Sequence, residues 1–116
     1  MNGCHDFIPT PDKVGKVFII QDNGGRNFSN AKRFGELIPI LERDVFPDDV
    51  KQRLPIMQKI IMAKLKDFNA ARDRILLTGD PVAIFIVGRQ LSVCEKVTLL
   101  KWDSENKGYF EVTVNL

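Results

Sequence analysis

One stretch, residues 74–88, restricts the possible folds of this chain more than any other. Its first part, residues 74–77, is typical of a short buried strand. A Thr-Gly turn follows at 78–79. Asp80 then predicts a helix N-cap, and Pro81 suits the first helical position. The helical residues after Pro81 are apolar on nearly every side, which predicts a helix packed deep in the molecule. A strand that runs directly into a capped helix is half of a βαβ unit.

The remaining strands and helices follow from hydrophobic periodicity and turn residues. Short β-branched or aromatic segments predict strands at 16–21, 37–41, 96–102 and 109–116. Pro39 places the second of these at the edge of a sheet, because proline cannot donate a ladder hydrogen bond. A short helix is expected at 29–35.

A longer helix is predicted from residue 49 to about 68. Its apolar residues recur at steps of three and four and form one stripe: Leu54, Met57, Ile61, Leu65 and Phe68. Pro55 lies within this segment. It is expected to kink the helix or divide it, because proline removes a hydrogen bond and clashes with the preceding turn.

Strands that alternate with helices predict an α/β fold with right-handed crossovers. We expect a single three-layer, Rossmann-like domain over residues 16–116. Its sheet should be mostly parallel with strand order 2-1-3-4-5, and the last strand should form an antiparallel C-terminal hairpin. Residues 1–15 contain prolines and glycines without apolar periodicity and are expected to form a flexible N-terminal arm.

Composition narrows the class of protein without specifying a function. The chain has 116 residues and a net charge of +2, which suits one domain and argues against nucleic acid as an obligatory partner. The longest apolar run, 81–87, is too short to span a bilayer, and the N-terminus lacks a secretion signal pattern. Two cysteines do not make a disulfide framework, so a cytoplasmic setting is expected.

A candidate ligand site follows from the expected topology. Ligands of open α/β sheets bind beyond the carboxyl ends of the strands, where the strand order reverses. The residues expected at this place include glycines, an arginine and a helix N-terminus, which suit an anion or a nucleotide. They are Asp22, Asn23, Gly24, Gly25, Arg26, Thr78, Gly79, Asp80, Trp102 and Asp103.

Two other interpretations of these residues remain open. Asp22, Asp80 and Asp103 could together hold Mg²⁺ for phosphate hydrolysis. Alternatively, the same aspartates serve only as a helix cap and turn residues. No nucleotide-binding motif decides between these interpretations.

The sequence supports no catalytic residue, cofactor or metal site. His5 is the only histidine, and the adjacent Cys4, His5 and Asp6 lack the further ligands that a closed metal site needs. Cys94 has no visible base partner and is interpreted as a small buried residue.

The pattern Arg26-Asn-Phe-Ser-Asn-Ala-Lys-Arg-Phe-Gly-Glu36, followed by Arg74-Ile-Leu-Leu-Thr-Gly-Asp-Pro, resembles small uncharacterised α/β proteins encoded by phages and prophages. The resemblance covers about residues 16–116. It implies a viral or mobile-element origin and the cytoplasm of a bacterial host, and it transfers no site residue.

Together these observations favour a non-enzymatic protein that acts through its surface, either as a homodimer or on a host or viral protein. The edge strand 109–116 or the helix with Met57 and Met62 is the expected interface. The alternative is a nucleotide- or anion-binding protein, or a magnesium-dependent phosphohydrolase, that uses the carboxyl edge of the sheet.

Overall fold

The chain folds around one five-stranded sheet in the order β2-β1-β3-β4-β5. The computed structural model describes residues 15–42 and 50–115, with side chains from residue 53 onward in the second range. The strands are β1 (Lys16–Asp22), β2 (Glu36–Glu42), β3 (Arg74–Leu76), β4 (Lys96–Asp103) and β5 (Gly108–Asn115). The helices are α1 (Val50–Lys64) and α2 (Pro81–Gln90), with short 3₁₀ helices at Ser29–Phe34 and Leu91–Val93.

The predicted α/β class and strand order are confirmed. β1 pairs in parallel with both β2 and β3, and β3 pairs in parallel with β4. β5 pairs antiparallel with β4 and ends the sheet. Pro39 lies opposite Ile19 in the edge strand β2, as its missing N–H requires. Most of the expected N-terminal arm, residues 1–14, lies outside the described residues, including Cys4 and His5.

The two faces of the sheet are covered unequally. Both α helices pack on one face, which is called the helical face below, and they form a large core with Phe18 and Ile20 of β1. On the opposite face, within the described part of the chain, Val17 and Ile19 of β1 pack against the 3₁₀ helix at 29–34 and its flanks. The layer on this opposite face is thus thinner than the corresponding helical layer of a full Rossmann fold. The fold is Rossmann-like only in a loose sense.

The prediction that α2 is deeply packed is wrong. Only Ala83 and Val87 of this helix are buried, whereas Val82 and Phe85 are 50% and 72% exposed. α2 lies on the sheet with no further layer above it in the described structure, so its outer side faces solvent. The apolar composition of α2 therefore does not indicate how much of the helix is buried.

The stripe of α1 is largely confirmed, with one exception. Met57, Ile61 and two residues just after the helix, Leu65 and Phe68, are buried in the core of the helical face. Leu54 is 42% exposed and lies outside the packed part of the stripe. Pro55 does not divide the segment, since α1 runs without interruption from residue 50 to 64.

A buried carboxylate connects the beginning of β1 to the segment before β3. Asp73 is 2% exposed. Its Oδ1 accepts a hydrogen bond from the backbone N–H of Lys16, and its Oδ2 accepts one from the N–H of Asn69, both at 2.8 Å. Because both oxygens are hydrogen-bonded, the burial of the charge is compensated, and the start of β1 is tied to the segment before β3.

Candidate functional site at the carboxyl edge of the sheet

The ends of β1 and β3 form the expected switch point. These strands are neighbours in the middle of the sheet, and the chain leaves β1 toward β2 but leaves β3 toward β4. The loop after β1 (residues 22–26), the turn after β3 (residues 78–80) and the end of β4 (Trp102, Asp103) consequently lie at one edge. The structure thus places all the sequence-predicted site residues at the carboxyl edge.

The side chain of Gln21 fills the space between the loop after β1 and the turn after β3. Its Oε1 accepts a hydrogen bond from the backbone N–H of Asp80 at 2.7 Å. Gly79 adopts φ +106°, and a Cβ placed there would lie 2.4 Å from the Cβ of Gln21. The expected crevice between β1 and β3 is therefore occupied by a side chain of the protein itself. Sequence reasoning missed Gln21; the signal was an amide side chain at the end of an otherwise apolar strand.

Asp80 performs the predicted capping role. Its Oδ1 accepts a hydrogen bond from the backbone N–H of Val82 at 2.8 Å, and Pro81 occupies the first turn of α2. The carboxylate of Asp80 thus already supplies a negative charge at the positive end of the helix dipole. An external anion would therefore be stabilised less by this helix N-terminus.

The other two aspartates stabilise turns. Asp22 accepts the N–H of Gly24 at 2.9 Å. Asp103 accepts the N–H of Glu105 at 3.0 Å and the side-chain N–H of Asn106 at 2.7 Å. The hydrogen bonds from Asn106, followed by that from Glu105, lower the pKa of Asp103. Each carboxylate is therefore engaged locally.

The described side chains do not form a metal centre. Among residues 15–42 and 53–115, no group of three His, Cys, Asp or Glu side chains is close enough to hold a metal ion. The aspartates share an edge without converging on one point. This arrangement gives no support to the magnesium hypothesis.

A polar pocket does lie at this edge, on the face of the 3₁₀ helix at 29–34. Its volume is about 290 Å³, and it is lined by Arg26, Asn27, Trp102 and Tyr109. Trp102 of β4 and Tyr109 of β5 are cross-strand partners, with ring centroids 5.0 Å apart and an angle of 70° between the ring planes. Two of the four residues were expected from the sequence, and Asn27 and Tyr109 were missed.

Tyr109 forms the inner wall of this pocket. Its side chain is buried in the smaller core, while Trp102 remains 39% exposed. Desolvation by burial raises the pKa of Tyr109, and the positive charge of Arg26 acts in the opposite direction. Arg33 donates a hydrogen bond to the carbonyl of Tyr109 at 2.9 Å, which holds the 3₁₀ segment against β5.

A second cavity lies on the helical face and is almost entirely apolar. It has a volume of about 250 Å³. One wall consists of Ile84 and Gly88 of α2 and of Leu91, the first residue of the following 3₁₀ helix. The sheet contributes Leu99 of β4 and Val114 of β5. Apart from its neighbours and the backbone of α2, no atom of the described residues lies within 4 Å of a Cβ placed on Gly88, so this side of the groove is open. All the described residues that line it are apolar or glycine.

None of the helices in the described part of the chain has the length and apolarity needed to cross a membrane.

These features define a small α/β protein, whose described residues form one sheet with three parallel strand pairs and an antiparallel edge strand. The chain belongs to the family described as phage Pam3 gp32-like protein, whose model matches residues 15–116. The predicted resemblance to phage proteins is thereby confirmed. No curated protein and no solved structure matches the chain.

Proposed function

We propose that this phage-family protein acts by self-association through the outer edge of β5, which would join two copies into one continuous antiparallel sheet. The observation that supports the proposal is the open edge itself. β5 has eight residues and ends the sheet, and no described strand pairs with its outer side, where only the carbonyl of Tyr109 near the start of the strand accepts a side-chain hydrogen bond, from Arg33, among the contacts of the described residues. Unpaired N–H and C=O groups along such a strand are a template for pairing with another strand.

The two edges of the sheet differ in the features that normally prevent such pairing. β2 contains Pro39 in its centre and has Glu36 and Glu42 at its two exposed ends. β5 contains no proline or lysine, and its one charged side chain, Glu111, forms an ion pair with Arg74. Proline and charged side chains are the usual protections of an edge strand. The β5 edge is thus the less protected one.

The exposed side chains of β5 also suit a second copy of the same strand. Alternation places Phe110, Val112 and Val114 on the helical face, where the first two are 43% and 36% exposed. If a two-fold axis passes at Val112, Phe110 of one copy lies opposite Val114 of the other. In the same register Glu111 lies opposite Thr113, so that no like charges face each other.

This register is self-complementary, whereas a shift that centres the axis on Glu111 would oppose two carboxylates. Like charges directly opposite each other in a sheet are destabilising. A single pair of edge strands makes a small interface, because stable complexes bury about 1,200 Å² or more. We therefore expect a dissociation constant on the order of micromolar.

The experiment measures mass by light scattering or sedimentation over a wide range of concentration. The wild-type chain should change from monomer to dimer with increasing concentration. Val112→Lys should weaken the association by about tenfold or more, because it places two ammonium groups opposite each other at the axis. Phe85→Lys is the matched control, since it replaces a more exposed apolar side chain on α2 with the same charge.

A mixture of Val112→Lys and Val112→Glu gives the decisive result. Each variant alone should remain monomeric, and the mixture should form a heterodimer in which opposite charges face each other. A wild-type chain that stays monomeric at all concentrations contradicts the proposal. It is contradicted equally by a dimer that Phe85→Lys disrupts and Val112→Lys does not, because the interface would then be α2.

We further propose that this association takes place in the cytoplasm of a bacterial host; membership of a phage protein family supports this proposal. A magnesium-dependent phosphohydrolase is not proposed, because Asp22, Asp80 and Asp103 are each engaged in a local turn or cap.

A further inference from the structure

We propose that the pocket lined by Arg26, Asn27, Trp102 and Tyr109 binds a nucleotide, with the base against the Trp102 ring and the phosphate paired with Arg26. The pocket lies on the sheet face opposite the α helices, whereas the proposed self-association uses the outer edge of β5, so the two proposals can be tested separately. It rests on the convergence of a guanidinium, an amide and two aromatic rings around one cavity.

The cation of the pocket is available to a ligand. Within the described residues, Arg72 pairs with Asp73 and Arg74 with Glu111, and no ion pair involves Arg26. Arg26 is exposed on the loop after β1. An arginine fork binds phosphate through two parallel hydrogen bonds, which makes it the side chain best suited to this anion.

The aromatic wall of the pocket is preorganised. Tyr109 is buried and meets Trp102 edge to face across the β4–β5 pair, at 5.0 Å between ring centroids. The indole is fixed on one side by this contact and is still 39% exposed on the remainder of its surface. A flat ring can therefore stack on Trp102 without a rearrangement of the sheet. Stacking of a base on an aromatic side chain is worth about 1–3 kcal/mol.

The polar groups of the pocket suit a base rather than an aliphatic anion. Asn27 presents a carboxamide, of which Oδ1 accepts the N–H of Ser29 at 2.8 Å, so its NH₂ group points away from that turn. An amide NH₂ and a tyrosine hydroxyl can both hydrogen-bond the edge of a base. The volume of about 290 Å³ suits one nucleotide unit rather than a larger cofactor.

The chain offers a direct readout, because Trp102 is its only tryptophan. A base that stacks on the indole should quench its fluorescence. The titrants are the four ribonucleoside monophosphates, the corresponding nucleosides, inorganic phosphate and a short single-stranded oligonucleotide. We expect saturable quenching by at least one monophosphate and about tenfold weaker quenching by its nucleoside, which lacks the group that pairs with Arg26.

Variants separate a specific site from general attraction to a basic surface. Arg26→Gln should weaken nucleotide binding by about tenfold, and Arg26→Lys should restore part of it. Lys32→Gln is the matched control, because Lys32 is an exposed cation of the neighbouring 3₁₀ helix that does not line the pocket. It should leave the affinity unchanged.

The oligonucleotide identifies the natural source of the ligand. Much tighter binding of the strand than of the monophosphate would assign the pocket to one unit of a nucleic acid, and equal binding would assign it to a free nucleotide. The proposal is overturned if no nucleotide quenches the fluorescence, or if Arg26→Gln and Lys32→Gln weaken binding equally. Val112→Lys should bind nucleotides as the wild type does, so the test does not depend on self-association.

Discussion

Gln21 and Asp80 are joined by a hydrogen bond of 2.7 Å between the side-chain Oε1 of the first and the backbone N–H of the second. The bond connects the end of β1 to the residue that caps α2, which in turn accepts the N–H of Val82. The two central crossovers of the fold therefore meet at one amide side chain. This contact also fills the crevice in which α/β proteins commonly bind ligands.

Replacing Gln21 with alanine should destabilise the protein by about 1–2 kcal/mol, because the N–H of Asp80 loses its partner in a partly buried position. Denaturant unfolding followed by circular dichroism measures this loss. Gln58→Ala removes the same side chain from an exposed position on α1 and should change stability by less than about 0.5 kcal/mol. Equal effects of the two substitutions would contradict the role assigned to Gln21.

Two glycines at the carboxyl edge should differ sharply in their tolerance of alanine. Gly79 has φ +106°, and its Cβ would meet the Gln21 side chain, so Gly79→Ala should cost more than about 1 kcal/mol. Beyond its two neighbours, no atom of the described residues lies within 4 Å of a Cβ placed on Gly25, and Gly25→Ala should be nearly neutral. Thermal unfolding of both variants in parallel provides the comparison. A neutral Gly79→Ala would show that the turn relaxes without strain.

Removing the buried carboxylate of Asp73 should be the most damaging of these changes. Asp73→Ala leaves the N–H groups of Lys16 and Asn69 without partners, at an expected cost of about 2–4 kcal/mol. Asp67→Ala removes an exposed carboxylate nearby and should have little effect. The free energy of unfolding in urea distinguishes the two. A loss below about 1 kcal/mol for Asp73→Ala would mean that water replaces the carboxylate.

The titration of Tyr109 should report its burial and its proximity to Arg26. Desolvation raises its pKa above the usual 10.0, and the charge of Arg26 partly opposes this. Because the folded state favours the protonated phenol, the corresponding stability is present below pH 10 and is lost as the pH rises through the higher folded-state pKa. Tyr109 is the only tyrosine, so ultraviolet absorbance of the phenolate measures its midpoint without overlap.

Arg26→Gln should raise that midpoint further, since it removes the charge that favours the phenolate. Lys32→Gln serves again as the control and should leave it unchanged. A midpoint that falls, or that does not respond to Arg26→Gln, would contradict the electrostatic contact across the pocket.

Much of the fold could be predicted from local signals. The alternation of strands and helices together with right-handed crossovers predicts the order 2-1-3-4-5 that the sheet adopts. Asp80 and Pro81 begin α2 where their capping preferences place it. Periodicity correctly predicts the buried residues of the α1 stripe but also includes Leu54, which is exposed, because the pattern identifies one side of a helix but not how far the packing extends along it.

The candidate site was only partly predictable. Topology placed Arg26 and Trp102 at the carboxyl edge, but Tyr109 belongs to a strand that begins there after a turn, and its ring reaches the pocket through cross-strand pairing. The filling of the crevice by Gln21 likewise depends on the distance between two strands. Neither relationship is visible in spacing along the chain.

The sequence by itself determined the elements, their order and the edge at which polar residues collect, because propensity, periodicity and crossover handedness act locally along the chain. Only the tertiary structure decided which side chains use that edge for turns and caps, how much of α2 is exposed, and where a pocket remains open. These properties depend on distances between elements far apart in sequence. They are set by packing, in which the contribution of each residue depends on its neighbours in space.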